Sequence, residues 1–171
     1  MLNTAAIGLY TAGFGGARRQ YPLTRSQALR IVNIADIRSG GRVWYSGPPD
    51  RTMEAAVNGL GACIINGHPT AAPLTGIIAA DVALGCLSAW QDGDAVQLLQ
   101  AFRRCLRPGG RMAVWAVPDA HRSPSNLADR LPYLAGSAGF TSVIVGRLPP
   151  DRGRRIIVAT GIINKWRSNT G

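Results

Sequence analysis

Short apolar runs alternate with amphipathic stretches along most of the chain, a pattern typical of strands that alternate with helices. From residue 23, LTRSQALRIVNIADIRSGG carries apolar residues at roughly helical spacing. It predicts a helix that Thr24 or Ser26 caps and that Gly40 and Gly41 end. RVWYS then predicts a short strand, because its residues favour extended backbone.

The next stretches repeat this order. RTMEAAVNGLG predicts a helix with Asp50 as its N-cap, and ACII predicts a buried strand. Residues 71–90 form an apolar run long enough to be weighed as a membrane span. Asp81 lies at its middle, where insertion of an acid costs about 2.5–3.5 kcal/mol, and Gly76 and Gly85 interrupt it. A buried strand, IAADVALG, with flanking loops explains the run better.

The clearest helix of the chain is DGDAVQLLQAFRRCLRPGG, which has acids at its start and arginines near its end. Pro108 and Gly109 are expected to end it. RMAVWAV predicts a strand, SPSNLADRLPYLAGSAGF a helix interrupted near Pro132, and TSVIVGRL and RRIIVATGII two strands joined by the turn PPDRG. The order predicts an α/β three-layer sandwich whose mostly parallel sheet ends in an antiparallel hairpin.

Three segments of this pattern resemble the class I S-adenosylmethionine-dependent methyltransferases. ADVALGCLSAW is similar to the family's Asp-led fourth strand, and LLQAFRRCLRPGGRMAVWAV to its helix ending in Leu-x-Pro-Gly-Gly before a fifth strand. LAGSAGFTSVIV is similar to the helix that ends in Ala-Gly-Phe before a sixth. Together they comprise 43 of the chain's 171 residues and lie between Ala80 and Val145. The resemblance implies a methyltransferase-like (Rossmann-like) sheet and, at its carboxyl edge, the family's cofactor site.

The N-terminal half departs from the family's cofactor-binding motif. In the family the first strand and its loop read Gly-x-Val-Leu-Asp-x-Gly-x-Gly, and here Gly41, Val43 and Gly47 keep their places. Tyr45 stands in place of the acid and Pro49 in place of the second glycine. Because proline has no N–H and a fixed φ, the loop cannot make the family's backbone contact in the usual way.

The second and third strands depart as well. The second strand ends in Asn66, where the family has an acid that binds the ribose hydroxyls. Residues 67–80, fourteen in all, are too few for a full helix, third strand and loop, so the third-strand region is expected to be truncated. The resemblance leaves Gly47, Asn66 and Asp81 as candidate cofactor-binding residues in a site that looks degenerate.

The composition adds a large positive charge. The formal net charge is +10, and eighteen of the nineteen basic residues are arginines. This charge favours nucleic-acid or acidic partners, although codon bias would also explain scattered arginines. Cys63, Cys86 and Cys105 fall in apolar segments without metal-ligand spacing. We therefore expect buried free thiols in a reducing intracellular compartment, and no metal.

Candidate catalytic residues lie on loops. Asp119 and His121 follow the predicted fifth strand, near where methyl acceptors lie in the resembling family, and could form a general-base pair. The alternative is that both are solvated loop residues. His68 lies on another loop at the carboxyl end of a strand.

The chain is expected to comprise an N-terminal arm (1–22), the α/β domain (23–164) and a polar tail (165–171). Aromatic residues that can anchor interfaces lie in both segments, namely Tyr10, Phe14 and Tyr21 in the arm and Trp166 in the tail, so we expect protein partners there. The alternative is that these residues pack on the chain's own sheet. No membrane partner is expected.

Three functions are consistent with these patterns. The altered cofactor positions favour a non-catalytic, methyltransferase-like scaffold or binding subunit of a larger assembly, with no cofactor. The alternative is an active S-adenosylmethionine-dependent methyltransferase with an atypical cofactor loop. A nucleic-acid-associated module that binds through charge is the third.

Overall fold

The chain forms four helices and six strands in the residues that the structure, a computed structural model, describes. Those residues are 23–47, 49–66, 79–87, 92–117 and 124–163, with backbone only for 92–94 and 124–127. In chain order the elements are α1 (Arg25–Ile34), β1 (Arg42–Ser46), α2 (Arg51–Gly59), β2 (Cys63–Asn66), β3 (Ala80–Cys86), α3 (Asp92–Cys105), β4 (Leu106–Ala116), α4 (Pro124–Ser137), β5 (Thr141–Asp151) and β6 (Arg154–Ile162).

The strands form one six-stranded sheet in the order β2-β1-β3-β4-β6-β5. The strands β2, β1, β3 and β4 run parallel, and β6 lies antiparallel between β4 and β5. This confirms the predicted mostly parallel sheet with a closing antiparallel hairpin. The chain passes from β1 to β2 on one side and then returns to β3 on the other, so the strand order reverses between β1 and β3.

Helices cover both faces of the sheet and give the predicted three layers. On one face α1 and α2 pack on a core that includes Tyr45 and Met53. On the other face α3 and α4 pack on a core that includes Trp44, Phe102 and Leu131. Trp44 and Tyr45 enter opposite cores because successive side chains of a strand point to opposite faces.

Both predicted N-caps are present. The Thr24 side chain accepts a hydrogen bond from the Gln27 N–H (3.2 Å), and the Gln27 side chain accepts one from the Thr24 N–H (3.0 Å). Asp50 caps α2 by accepting from the N–H groups of Thr52 (2.9 Å) and Met53 (3.1 Å). These bonds satisfy N–H groups that have no partner within the first helical turn.

The helix predicted to continue to Pro108 ends earlier, at Cys105. The LRPGG segment forms the start of β4 instead. Gly109 donates its N–H to the Ile163 carbonyl (3.1 Å), and Ile163 donates its N–H to the Gly110 carbonyl (3.0 Å). The backbone of this segment therefore bonds to the chain just after β6. Its N–H and C=O groups have partners there and do not require the hydrogen bonds of a further helical turn.

Two predictions at prolines are wrong. The helix α4 is continuous from Pro124 to Ser137 and is not interrupted at Pro132. Pro132 has no N–H to donate to the carbonyl four residues earlier in the helix. Because Pro132 is exposed, water can bond to that carbonyl instead. Pro149 and Pro150 belong to β5, and the turn is Arg152-Gly153. Because β5 is an end strand of the sheet, prolines fit where no neighbour needs their N–H.

The strand β2 is less buried than its apolar residues predict. Cys63 is exposed, and Ile64 and Ile65 are only partly buried. It is an end strand of the described sheet, in which no strand lies beyond it. Of the three cysteines expected to be buried, only Cys105 is; Cys86 is half-buried.

Some of the predicted organisation lies outside the described residues, namely the arm of residues 1–22, the tail of residues 165–171 and most of the segment between β2 and β3. The apolar run weighed as a membrane span contributes β3, a buried strand as predicted. In the described ranges no helix combines the length and apolar character needed to cross a membrane.

Candidate functional site

The carboxyl ends of β1, β2 and β3 lie side by side at one edge of the sheet. The strand register places Tyr45 beside Asn66 and Ser46 beside Gly85. Gly47 follows Ser46 directly. This edge lies where the strand order reverses, which is the usual ligand-binding position of open α/β sheets. The structure thus brings together two of the predicted cofactor-binding residues, Gly47 and Asn66.

Gly47 and Asn66 are accessible at this edge. Asn66 is exposed and Gly47 is half-buried, whereas Ser46 is only 1% exposed. The Asn66 amide offers both donors and an acceptor. Gly47 offers its partly accessible backbone, while the Tyr45 hydroxyl occupies the side on which a Cβ would lie. The edge therefore provides an accessible backbone position and a polar side chain on adjacent strands.

Tyr45 occupies the position of the family's acid and belongs to the core. It is 2% exposed, and its ring stacks on Trp115 with 6.2 Å between ring centroids and 25° between ring planes. A Cβ at Gly47 would lie 3.1 Å from the Tyr45 hydroxyl oxygen. The tyrosine therefore underlies the accessible edge and presents no carboxylate to it.

Gly85, which in the sequence only interrupts an apolar run, is a point of close packing in the structure. A Cβ there would lie 2.6 Å from Cζ of Phe102 and 3.2 Å from the carbonyl oxygen of Ser46. Phe102 in turn meets Trp44 edge to face, with 5.5 Å between centroids. A glycine inside a buried strand often marks such a close approach, and that signal could have identified Gly85.

The N-terminus of α2, just after the altered loop, is neutralised by the chain's own carboxylate. Asp50 accepts hydrogen bonds from Thr52 and Met53 through one oxygen and from the Leu23 N–H (3.3 Å) through the other. Pro49 is exposed and has no N–H. An anionic ligand group consequently finds fewer backbone donors here than the family's glycine loop provides.

Asp81, the third predicted cofactor-binding residue, lies at the amino end of β3. Its Oδ1 is 2.7 Å from Nε of Arg107, and its Oδ2 accepts the Arg42 N–H at 2.7 Å. From the strand rise, it lies about 13 Å from the carboxyl edge. The structure does not bring Asp81 together with Gly47 and Asn66, and both of its carboxylate oxygens already have partners.

A second group of charges lies at this amino end. Asp36 is 3.0 Å from Arg38 and 3.3 Å from Arg111, measured between the carboxylate oxygen Oδ2 and guanidinium nitrogens. The hydrogen bond from Arg38 lowers the pKa of Asp36 below its usual value, and the same bond raises the pKa of Arg38. Three arginines at the amino end, Arg38, Arg107 and Arg111, are therefore ion-paired.

The predicted acid-base pair Asp119 and His121, and also His68, lie outside the described residues. Within the part of the chain that the structure describes, no group of three or more histidine, cysteine, aspartate or glutamate residues could hold a metal ion.

No model of a known protein family matches this sequence, and no curated protein is significantly similar to it. Many solved structures match its fold. One is phosphoethanolamine N-methyltransferase 2 of Haemonchus contortus, solved with S-adenosylhomocysteine, at TM-score 0.61 and 10% identity; the match covers 81% of this chain and 52% of that one.

Two further matches are methyltransferases of bacteria. An S-adenosylmethionine-dependent O-methyltransferase of Thermotoga maritima matches at TM-score 0.59 and 12% identity, over 85% of this chain and 68% of that one. The 1,6-didemethyltoxoflavin-N1-methyltransferase of Burkholderia thailandensis, solved with 1,6-didemethyltoxoflavin and S-adenosylhomocysteine, matches at TM-score 0.54 and 19% identity, over 82% and 78%.

These likenesses show the fold of the chain, which is that of the class I S-adenosylmethionine-dependent methyltransferases. The resemblance implied by the sequence is thereby confirmed at the level of fold. The chain spans about half the length of some of these proteins, 52% of the Haemonchus contortus methyltransferase and 56% of a structure from Nostoc punctiforme.

Proposed function

We propose that this chain is a S-adenosylmethionine-dependent methyltransferase domain with an atypical cofactor loop, in which Gly47 and Asn66 contact the cofactor. The observation that carries the proposal is the juxtaposition of these two residues at the carboxyl ends of β1 and β2, beside the reversal of strand order. Open α/β sheets bind their ligands at this place. Several structures with the same fold hold S-adenosylmethionine or S-adenosylhomocysteine.

The residues at this edge fit the adenosyl part of the cofactor. Asn66 is exposed and its amide can bond to sugar hydroxyls as both donor and acceptor. Gly47 contributes backbone groups that remain partly accessible. When bound, S-adenosylmethionine supplies an electrophilic methyl group. The part played by Gly47 and Asn66 is to bind the cofactor, and thereby to hold its methyl group in a fixed orientation for an acceptor.

The atypical part of the site is where the amino-acid end of the cofactor would be held. Pro49 offers no N–H, and Asp50 already accepts the N–H groups of Thr52 and Met53. Fewer backbone donors predict weaker binding of the cofactor's carboxylate than a glycine loop would give. Affinity then depends more on the nucleoside contacts, including the contact to Asn66.

The scaffold hypothesis, with no cofactor, has less support than this alternative. The solved structures that match the fold include several named methyltransferases, some with cofactor bound. Tyr45, which stands in place of the family's acid, packs in the core, where its ring stacks on Trp115. It leaves the edge itself accessible. Asn66 retains hydrogen-bonding capacity at the position of the family's acid.

Ligand-induced stabilisation tests the proposal directly. If the dissociation constant of S-adenosylhomocysteine is about 10 µM, then about 1 mM ligand stabilises the fold by about 2.7 kcal/mol. For a domain of this size the Tm should rise by about 5–10 °C. The variant Asn66→Ala should show a smaller shift. Asn58→Ala, which changes an equally exposed asparagine on α2, should shift as the wild type does.

Two results would contradict the proposal. One is an unchanged Tm with both S-adenosylmethionine and S-adenosylhomocysteine at about 1 mM, at which even a ligand with a dissociation constant of 1 mM would stabilise measurably. The other is an equal response of Asn66→Ala and Asn58→Ala, which would remove Asn66 from the site.

A further inference from the structure

The β5–β6 hairpin is a strongly basic projection. Residues 141–162 contain four arginines and a single acid, Asp151. The turn residues Arg152 (φ 50°) and Gly153 (φ 74°) both have positive φ, as the two-residue hairpin turn whose twist matches the flanking strands requires. Glycine, asparagine and aspartate dominate such positions. Here an arginine stands at the first, in a backbone region that non-glycine residues rarely adopt.

The hairpin tip lies at the same end of the sheet as Gly47 and Asn66. Ala116, the last residue of β4, pairs with Ile157 of β6. The three residues of β6 that precede Ile157 therefore extend past the end of β4, by about 10 Å. The tip therefore projects beyond the carboxyl edge of the sheet, three strand positions along from β1.

The acid of the hairpin is already engaged. The Thr24 hydroxyl donates a hydrogen bond to the Asp151 carboxylate, which ties the tip to the start of α1. Among the described residues, the turn residue Arg152 forms no ion pair.

Two more arginines lie along one face of the hairpin. Arg147 pairs with Ile157, and Arg155 lies two residues before Ile157 on the same face. Diagonal neighbours of this kind are about 7–8 Å apart. Both side chains are exposed, and within the described ranges neither is part of a salt bridge. We call Arg147, Arg152 and Arg155 the hairpin arginine cluster.

The amino end of the sheet contrasts with this cluster. There Arg38 and Arg111 pair with Asp36, and Arg107 pairs with Asp81. Exposed arginines without an ion pair also lie at that end, namely Arg42, Arg103 and Arg104, but they are not grouped around one turn as the hairpin arginines are.

We propose that the hairpin arginine cluster binds the phosphate backbone of a nucleic acid. Planar guanidinium groups match phosphate oxygens with paired hydrogen bonds, and a row of them suits the repeated phosphates of a strand. Between Arg147 and Arg152 the exposed residues include Pro149 and Pro150 and no large apolar side chain, whereas the centres of protein interfaces are enriched in aromatic residues. The inference does not depend on the proposed function, since this binding needs no cofactor.

Fluorescence anisotropy with a labelled single-stranded RNA of mixed sequence, without cofactor, tests the inference. The test variant is Arg147→Gln/Arg152→Gln/Arg155→Gln. The matched control is Arg42→Gln/Arg103→Gln/Arg104→Gln, which removes equal charge from exposed arginines at the other end of the sheet. We expect at least tenfold weaker binding for the test variant and less than threefold for the control. The slope of log affinity against log salt should fall by about 2 in magnitude for the test variant.

A single substitution separates binding from folding. Arg152→Gly suits the positive φ of the turn, so it should raise the Tm while it weakens RNA binding about threefold. Equal loss of affinity in the two triple variants would overturn the inference, as would absence of RNA binding by the wild type. Binding of poly-glutamate as tight as that of RNA would also overturn it, in favour of an acidic protein partner.

Discussion

Asp81 and Arg107 form an ion pair at the amino end of the sheet, with 2.7 Å between Oδ1 and Nε. The second carboxylate oxygen of Asp81 accepts the backbone N–H of Arg42, also at 2.7 Å. One side chain thus connects the starts of β1, β3 and β4, and the contacts of Asp81 are those of a structural residue.

The variant Asp81→Ala should lower the free energy of unfolding by about 1.5–3 kcal/mol, because it leaves the Arg42 N–H without its charged acceptor. Asp81→Asn keeps an acceptor and loses only an ion pair whose arginine is largely exposed, so the loss should be below about 1 kcal/mol. Urea unfolding measures both. Loss of the response to S-adenosylhomocysteine in folded Asp81→Asn would contradict a purely structural role.

Gly85→Ala should destabilise the fold by about 1–3 kcal/mol through overpacking against Phe102, since the new Cβ would lie 2.6 Å from that ring. Gly146→Ala is the control, because its Cβ would meet no atom within 4 Å; we expect a change within about 0.5 kcal/mol. Phe102→Leu should cost less in the Gly85→Ala background than in the wild type. Additive effects in this double-mutant cycle would contradict the contact.

Thr24→Ala should lower the free energy of unfolding by about 1–2 kcal/mol, because it removes both the cap of α1 and the hydrogen bond to Asp151. Thr24→Ser keeps the hydroxyl and should lose much less. Ser26→Ala, an exposed change two residues further along the same helix start, serves as a control in the same thermal unfolding series. A Thr24→Ser variant as unstable as Thr24→Ala would show that the hydroxyl is not what stabilises this junction.

The cysteines should differ sharply in reactivity towards a thiol reagent. Cys63 is exposed and should react rapidly in the native protein, and Cys63→Ser should remove this fast phase. Cys105 is buried, and burial raises the pKa of its thiol. Since the thiolate is the nucleophile, raising the pH to the usual thiol pKa of about 8.5 should leave Cys105 unreactive until the protein unfolds. Equal labelling rates at Cys63 and Cys105 would contradict the structure.

Local signals in the sequence were sufficient to predict most of the elements. Thr24 and Asp50 are side chains of the types that cap helices, and each is followed by an amphipathic stretch. Such signals are local, because a capping side chain bonds to an N–H group only two or three residues further along the chain. The alternation of strands and helices predicted a mostly parallel sheet, and the last two strands predicted an antiparallel hairpin; the structure confirms both.

Long-range pairing decided what the sequence could not. Pro108 and Gly109 predicted the end of a helix, but their segment pairs with the chain around Ile163 and therefore begins a strand. Pro149 and Pro150 read as a turn, but an end strand tolerates them. Each outcome depends on which segment lies alongside, and that information is distant in sequence.

The candidate site was predictable only in part. Gly47 and Asn66 end adjacent parallel strands, so their proximity follows from the topology. Asp81 begins its strand, and strand direction places it at the far end. The stacking of Tyr45 on Trp115 and the contact of Gly85 with Phe102 depend on how the faces of β1, β3, β4 and α3 pack. Periodicity alone does not specify those partners.

Isothermal titration calorimetry with S-adenosylhomocysteine tests the central claim most directly. The account predicts saturable one-to-one binding with a dissociation constant in the micromolar range. Asn66→Ala should bind about tenfold more weakly, as loss of one hydrogen bond of about 1.4 kcal/mol implies, and Asn58→Ala should bind as the wild type does. No heat at millimolar ligand, from protein that unfolds cooperatively, would contradict the account and return the chain to the scaffold hypothesis.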